Sequence, residues 1–384
     1  MSAAPMETNG GIGEAAASPA TSMTSVTRPR IAVIGTGGTF AMHARHRFDW
    51  VEYADSGIVH PIDALLETMG ELAPDVDLVP VPFRSLGSVA ITPDDWLALA
   101  QLIARYASQD PGITGFVVTH GTATLEETAW FLDLVLALPQ PVVLTGAQRP
   151  ANTAGSDAPA NLRAAIATAC APQARHSGVL VVMDGWVFTA RDVTKAASFE
   201  LQAFEAPPFG PVARIEADAG IAWRRQAPRR MRDAGTGAGR SREYGIDLSA
   251  ILHAATPVSF PRVDIVLSYA GADSVAIDAY VAAGARAIIG AGLAPGRPSA
   301  GEWPAYRAAV AAGVVVVQSS RAARGTVPPQ RFLQEAGILA GGDLSPQKLR
   351  IAMMLVLQCR ALRGAASEWD PAEKAAIQGW LLTL

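Results

Sequence analysis

The chain has 384 residues, of which 50% are hydrophobic and 17% are charged, so it can bury a large core and is long enough for two domains. Its formal net charge of −4 gives no general attraction to nucleic acid or to an acidic membrane surface. Cys170 and Cys359 are its only cysteines, and their spacing indicates neither a disulfide framework nor a structural zinc site. These features favour a globular protein of the reducing cytoplasm that acts on a small molecule.

Residues 1–29 are rich in Ala, Ser, Thr and Gly. They contain neither a basic start nor a continuous apolar stretch, so we expect a disordered leader rather than a secretion signal. Nowhere is the sequence apolar for long enough to span a bilayer.

Short apolar runs rich in Val and Ile alternate with longer segments of helical spacing. The runs are IAVIG at 31–35, GFVVT at 115–119, PVVLT at 141–145 and GVLVVM at 178–183. Helical spacing is found in WLALAQLIARYA at 96–107 and in NLRAAIATAC at 161–170. This alternation predicts an N-terminal α/β domain over 30–222, with a parallel sheet covered on both faces.

The pattern stops in an Arg-rich stretch, RRQAPRRMRDAGTGAGRSRE, within the segment 223–257. Its arginines could indicate nucleic-acid binding, but the acidic charge of the whole chain favours a solvated linker.

A second alternation follows the linker and predicts a C-terminal α/β domain over 258–384. Its apolar runs are DIVLSY at 264–269, ARAIIG at 285–290 and GVVVVQSS at 313–320. A further helix is predicted from Pro346 to about Arg360.

The first strand ends in GTGGTF at 35–40, which resembles part of a dinucleotide-binding fingerprint. The full pattern needs Gly where Phe40 stands, and the chain has no phosphate-binding Gly-Lys-Ser/Thr motif. We expect a flexible turn that lets backbone amides approach a substrate and presents the hydroxyl of Thr39.

A second strand ends in VVTHGTATLEE at 117–127. Thr124 and Glu127 have the spacing of a capping box, which would account for Thr124 alone. His120 is a single histidine at a strand end, where a packed structural role is more common than catalysis. The sequence shows no set of metal ligands around it, so no metal site is expected.

A threonine nucleophile would need a base to take its proton. Lys195, in RDVTKA at 191–196, is a candidate. An isolated lysine is by default a surface cation, but a lysine in a dry pocket beside a hydroxyl binds its proton less tightly and can act as a base.

Four motifs together, TGGT at 36–39, THGT at 119–122, TGAQRP at 145–150 and RDVTK at 191–195, resemble the bacterial-type asparaginase/glutaminase family in order and spacing. The likeness continues through SDAPANL at 156–162, QSSR at 318–321 and SPQK at 345–348. The resemblance implies an α/β fold with a larger N-terminal parallel-sheet domain and a smaller C-terminal α/β domain. It also implies a homotetramer built as a dimer of dimers, a small amide substrate, and no cofactor or metal.

Residue roles follow from the same resemblance. Thr39 matches the nucleophile that forms an acyl-enzyme, and Thr122 and Lys195 match its hydroxyl and base partners. The turns at Gly38 and Gly121 would bind the oxyanion through backbone amides.

Two further positions correspond to substrate contacts in this family. Ser88 matches the residue that binds the substrate α-carboxylate, and Tyr53 corresponds to a tyrosine of the flexible loop that closes the site.

The chain also departs from the family pattern at three positions. The family reads THGTDT, and Ala123 stands at the aspartate that binds the substrate ammonium. Val89 replaces a glutamine that also binds it, and Gly271 stands where an asparagine is common. An ammonium without a carboxylate partner is costly to bury, so a pocket lined by Ala123 and Val89 should disfavour free asparagine. Loss of the anion would also favour the neutral form of Lys195.

The sequence therefore leaves three hypotheses. The first is a threonine-dependent amidohydrolase whose substrate lacks the α-ammonium of asparagine. The second is an ordinary asparaginase/glutaminase in which Glu52 or Asp55 supplies the missing charge. The third is a catalytically silent small-molecule binding protein, against which the retention of Thr39, Thr122 and Lys195 argues.

Overall fold

The computed structural model describes residues 28–225, 244, 246–255, 257–365 and 368–384. The predicted leader lies outside these residues except for its last two positions, and the segment 226–243 of the predicted linker also lies outside them. The predicted linker includes a described 3₁₀-helix, Leu248–His253.

The larger sheet is built around four parallel strands that coincide with the predicted apolar runs. Its strands along the described chain are β1 (Arg30–Gly37), β2 (Asp77–Leu86), β3 (Ile113–Thr119), β4 (Val142–Thr145), β5 (Val179–Met183) and β6 (Trp186–Thr189). A short separate ribbon follows, formed by β7 (Thr194–Lys195) and β8 (Phe204–Glu205). The larger sheet is then completed by β9 (Ala213–Ile215) and β10 (Ile221–Trp223).

In the described residues the order of the larger sheet is β10-β9-β6-β5-β4-β3-β1-β2. The strands from β2 to β5 pair in parallel, but β6 pairs antiparallel with β5 and with β9. The sheet is therefore mainly, not wholly, parallel, because β5 and β6 are joined by a tight turn at Asp184 and Gly185 instead of a helical crossover.

Helices cover both faces of this sheet. They are α1 (Ile62–Met69), α2 (Pro93–Gln109), α3 (Leu125–Val135) and α4 (Ala158–Cys170). Alternate residues of β1 enter different cores, with Ile31 and Val33 on one face and Ala32 and Ile34 on the other. Burial on both faces explains why the strands read as continuous apolar runs.

The smaller sheet is parallel throughout. Its order is β11 (Val263–Leu267), β12 (Ala287–Gly292), β13 (Val315–Ser320) and β14 (Leu339–Ala340). The accompanying helices are α5 (Val275–Ala282), α6 (Trp303–Ala311), α7 (Arg331–Glu335), α8 (Pro346–Leu362) and α9 (Pro371–Leu381). The two-domain α/β fold implied by the resemblance is confirmed. Across the described ranges, no helix is both long and apolar enough to cross a bilayer.

The two sheets share one hydrophobic core through α3 and α8. Trp130 of α3 is fully buried, and its indole nitrogen donates a 3.0 Å hydrogen bond to the carbonyl of Lys348 at the start of α8. Phe131 packs edge-on against Phe260, with ring centroids 5.9 Å apart. This shared core fixes the start of α8 against the larger sheet, close to the segment that carries Lys195.

Candidate active site

Three loops touch at the carboxyl edge of the larger sheet, and glycine makes their contact possible. A β-carbon on Gly38, after β1, would lie 2.3 Å from the Cα of Gly121, after β3. A β-carbon on Gly121 would in turn lie 2.5 Å from the Cβ of Ser88, in the loop after β2. Gly38 also has a φ of +74°, which L side chains rarely adopt. The two turns therefore pack backbone against backbone, and Thr39 and Thr122 follow these glycines directly.

Thr39 is almost buried and is paired with the predicted loop tyrosine. Its Oγ1 lies 2.7 Å from the hydroxyl of Tyr53, which is on a 3₁₀-helix, Tyr53–Ser56. The loop that carries this helix is closed at its base, because the amide of His60 donates to the carbonyl of Ala41 at 2.8 Å. The structure thus places Tyr53 over Thr39.

Thr122 and Lys195 lie in direct contact. The Lys195 ammonium donates a 2.7 Å hydrogen bond to Thr122 Oγ1, and Thr122 donates to the side-chain oxygen of Gln148 at 3.0 Å. Lys195 also donates to that oxygen at 3.2 Å. Among the described residues, Thr39 forms no hydrogen bond with Thr122 or Lys195. The site therefore contains two hydroxyls with separate partners.

Gln148 also lies in the candidate site, although the sequence did not indicate it. Its side-chain nitrogen donates a 2.8 Å hydrogen bond to the carbonyl of Glu200, which fixes the amide oxygen towards Lys195. The carboxylate of Asp157 accepts hydrogen bonds from the backbone amides of Gln148 and Arg149 at 3.0 to 3.1 Å and so holds the turn after β4.

Burial lowers the pKa of Lys195, and the negative charge of Glu126 partly opposes this effect. Glu126 is buried in the first turn of α3, and one of its oxygens accepts a 3.2 Å hydrogen bond from Gln347 of α8. The lysine is therefore poised to lose its proton more readily than a lysine in water.

A second lysine holds the segment that precedes Lys195. Lys348 is 3% exposed, and its ammonium donates hydrogen bonds of 2.6 Å to the carbonyls of Arg191 and Val193. Burial lowers the pKa of Lys348 to about 8, although nearby carboxylates, Glu126 first among them, oppose the shift. α8 thus holds the segment that leads into the ribbon carrying Lys195.

The capping box predicted at Thr124 does not form. Thr124 is the N-cap of α3, but its side chain caps no backbone amide. Its hydroxyl donates a 2.8 Å hydrogen bond to the carbonyl of Ser88, because the loop after β2 lies against it. A capping box is present at α2, where Thr92 and Asp95 exchange hydrogen bonds.

The two positions predicted to line an apolar ammonium pocket are open in the single chain. Val89 is 90% exposed and Ala123 is also exposed. Ser88 packs against the turn at Gly121, and its hydroxyl has no hydrogen-bond partner among the described residues.

His120 has the structural role that its sequence context favoured. It is fully buried, and burial lowers its pKa to about 4. Its Nδ1 lies 2.8 Å from the carbonyl of Gly121 and must donate to it, so Nε2 accepts from Thr128 at 2.9 Å. The neutral imidazole thereby fixes the loop that carries Thr122.

The acidic residues suggested as substitutes for the missing aspartate lie on the loop around Tyr53. Asp55 is paired with Arg45 at 2.9 Å, and Glu52 is exposed. In the described part of the chain, no group of three or more metal-ligating side chains is assembled.

Comparison with known proteins agrees with this architecture. Residues 30–229 match the family model described as "Asparaginase, N-terminal", and residues 262–366 match the "Glutaminase/Asparaginase C-terminal domain". The "L-asparaginase 2" of Bacillus subtilis (strain 168) is 33% identical over 329 residues, which cover 86% of this chain and 82% of that protein. The "Glutaminase-asparaginase" of Acinetobacter glutaminasificans is 31% identical, with 85% of this chain and 94% of that protein covered.

The similarity also holds for the three-dimensional structure. The crystal structure of a "Probable Cytoplasmic L-asparaginase" from Campylobacter jejuni has a TM-score of 0.78 and 31% sequence identity. The match covers 92% of this chain and 99% of that chain. The chain therefore belongs to the asparaginase family and is an amidohydrolase that acts on carbon–nitrogen bonds other than peptide bonds.

Proposed function

We propose that the protein hydrolyses a small amide to an acid and ammonia or an amine through an acyl-enzyme on Thr39. The observation that carries this proposal is the contact between the Gly38 and Gly121 turns, because Thr39 directly follows the first and Thr122, which contacts Lys195, directly follows the second. Each hydroxyl has a proton-transfer partner, Tyr53 for Thr39 and Lys195 for Thr122.

The reaction proceeds in two halves. Thr39 Oγ1 attacks the amide carbonyl carbon, and its proton passes to neutral Lys195, relayed by the hydroxyl of Thr122 or of Tyr53. Backbone amides of the two glycine turns stabilise the oxyanion, an effect worth several kcal/mol in enzymes of this kind, about 3 to 4 per donor. The C–N bond then breaks as the leaving nitrogen takes a proton. Water attacks the ester on Thr39, releases the acid and restores the hydroxyl.

Mass spectrometry of proteolytic peptides tests which threonine is acylated. Wild type quenched during turnover should carry the acyl group on the peptide that contains Thr39. Thr39→Ala should lose both this adduct and amide release, whereas Thr122→Ala should slow turnover but keep an adduct on Thr39. Adduct formation on Thr122, or unchanged amide release by Thr39→Ala, would discard the assignment of the nucleophile. A complete lack of turnover by wild type on a broad amide panel would favour the silent binding protein.

The substrate of this reaction is proposed to lack the α-ammonium of asparagine. Support comes from Ala123 and Val89, which offer no charge or hydrogen-bonding side chain beside Ser88 and Thr122. A cationic group bound there would lose water without gaining a carboxylate. A carboxylate of the substrate could still bind through the unpartnered hydroxyl of Ser88.

An ordinary asparaginase/glutaminase is the second candidate, favoured by the names of the relatives. For this chain it requires another anion at the ammonium. Asp55 is already paired with Arg45, so Glu52 is the better of the two proposed substitutes. Comparing kcat/KM for asparagine, glutamine and succinamate, the deamino analogue of asparagine, separates the two candidates. A preference for asparagine in wild type that is lost in Glu52→Gln supports the second.

We also propose a homotetrameric enzyme of the cytoplasm. The Campylobacter jejuni protein is named a probable cytoplasmic L-asparaginase, which supports this compartment, although a relative from Haemophilus influenzae is named a periplasmic L-asparaginase. The proposal of a tetramer rests on the resemblance to the asparaginase/glutaminase family. Light scattering of the purified protein measures the oligomeric state directly.

A further inference from the structure

We propose that Gln148 is a positioning residue that holds Lys195 through a neutral amide oxygen, in place of a carboxylate, so that the lysine can accept a proton from Thr122. This inference rests on the proposed role of Lys195 as the base of the reaction.

The geometry assigns this role to the amide oxygen of Gln148. That oxygen accepts hydrogen bonds from both Thr122, at 3.0 Å, and Lys195, at 3.2 Å. Thr122 and Lys195 are themselves 2.7 Å apart, so the three groups form a closed triangle. A residue that bonds both members of a hydroxyl–lysine pair sets the distance between them.

The orientation of the amide is determined by its other end. The side-chain nitrogen of Gln148 donates to the carbonyl of Glu200, which can only accept. A flipped amide would place a donor against the ammonium of Lys195 and an acceptor against that carbonyl. Only the observed orientation satisfies both contacts. The backbone amide of Gln148 donates to the carboxylate of Asp157, which stabilises the turn.

Neutrality is the property that separates this residue from a carboxylate. An ion pair would stabilise the protonated form of Lys195, whereas an amide oxygen gives the lysine an acceptor with much weaker preference for the charged form. The position after Thr122 is Ala123, so that neighbour adds no charge either. Among the described residues, Glu126 is the one acidic group that raises the pKa of Lys195 from a packed element, and its hydrogen bond to Gln347 directs one oxygen towards α8.

The composition of the chain makes a direct measurement possible. Lys195, Lys348 and Lys374 are the only lysines in the sequence. Protein labelled with ¹³C at the lysine ε-carbon should therefore give three side-chain signals, and the Lys195→Arg and Lys374→Arg variants assign them. The titration of Lys195 can be followed in the folded protein whether or not a substrate is known.

Two substitutions at Gln148 should move this titration in opposite directions. Gln148→Glu places a carboxylate beside the ammonium and should raise the pKa of Lys195 by about one to three units, the usual effect of a close opposite charge. Gln148→Met keeps the length of the side chain but removes the acceptor, so the pKa should fall. Gln109→Glu adds the same charge at the exposed end of α2, near the opposite edge of the sheet, and should leave the signal unmoved.

The activity of the same proteins supplies the second readout. The acidic limb of kcat/KM against pH should move to higher pH in Gln148→Glu, by the shift seen in the NMR titration, and stay in place in Gln109→Glu. A Lys195 signal that titrates as in wild type in Gln148→Glu, or moves the same way in both Gln148 variants, would overturn the inference. Inactivity of wild type would instead count against the proposed function, because the NMR titration does not depend on turnover.

Discussion

An aspartate introduced at position 123 should improve the use of asparagine relative to an amide without an α-ammonium. Residue 123 follows Thr122, whose hydroxyl is 2.7 Å from the ammonium of Lys195, and precedes the first turn of α3. The next residue, Thr124, donates a 2.8 Å hydrogen bond to the carbonyl of Ser88, so position 123 is close in the chain to a contact with the loop of Ser88. In Ala123→Asp the substrate ammonium would gain the partner that the wild-type residue does not provide.

The size of the effect can be worked out from Coulomb's law. Two unit charges about 4 Å apart interact by about 4 kcal/mol at an effective dielectric constant of 20 and by about 1 kcal/mol in bulk water. Ala123 is exposed in the single chain, so the lower half of this range applies, about 1 to 2 kcal/mol. The ratio of kcat/KM for asparagine to that for succinamate should therefore rise roughly 5- to 30-fold.

Ammonia release from the two substrates, measured over a range of pH, is the assay. The new carboxylate also stabilises protonated Lys195, so the acidic limb of kcat/KM should move to higher pH for both substrates. Ala308→Asp, on the exposed side of α6, controls for the change in net charge. A wild type that already prefers asparagine, combined with an unchanged ratio in Ala123→Asp, would refute the argument that the ammonium site has been lost.

Three other substitutions test the geometry. Tyr53→Phe removes the hydroxyl 2.7 Å from Thr39 and should lower kcat about 100-fold in steady-state assays; an unchanged kcat would exclude Tyr53 from proton transfer. Gly38→Ala forces a β-carbon to within 2.3 Å of Gly121 and should cost roughly 100-fold in kcat/KM together with a lower Tm; normal values of both would contradict the close contact. Lys348 has a pKa of about 8 when folded against 10.5 for an ordinary lysine, so above pH 8 the folded state releases a proton that the unfolded state keeps. Its contribution to the free energy of unfolding should rise by up to about 3 kcal/mol between pH 8 and 10.5. Urea unfolding of Lys348→Met at about pH 7.5 and about pH 9.5 should lack this rise, and an equal rise in both proteins would show that other groups cause it.

The central strands could be predicted from the sequence because they are buried on both faces. The run IAVIG at 31–35 lies within β1, and GVLVVM at 178–183 covers β5. The edge strand β2 was not predicted, because Pro80 and Pro82 interrupt its apolar pattern. An edge strand has backbone donors that need no partner, so it tolerates proline where a central strand does not.

The site was only partly predictable, for a different reason. Thr39, Thr122 and Lys195 stand in motifs whose combination is specific, whereas Gln148 has no local pattern that indicates its contact. Its side chain reaches Lys195, 47 positions later in the chain, only because β4 and the ribbon of β7 and β8 end at the same edge. Thr124 shows the opposite case, since its spacing predicted a cap, but its hydroxyl instead donates to the carbonyl of Ser88 in the loop after β2.

The ammonium of Lys348 connects the start of α8 in the C-terminal half to the segment 191–193 in the N-terminal half. Lys348 lies 153 positions after Lys195, yet its two hydrogen bonds to the carbonyls of Arg191 and Val193 hold the segment that leads into the ribbon carrying Lys195. A chimaera that joins this N-terminal half to another protein's C-terminal half must supply a lysine at the position of Lys348, or the carbonyls of Arg191 and Val193 lose their donor. Exchanging either half alone removes one side of both hydrogen bonds, so the two halves cannot be swapped independently of this contact.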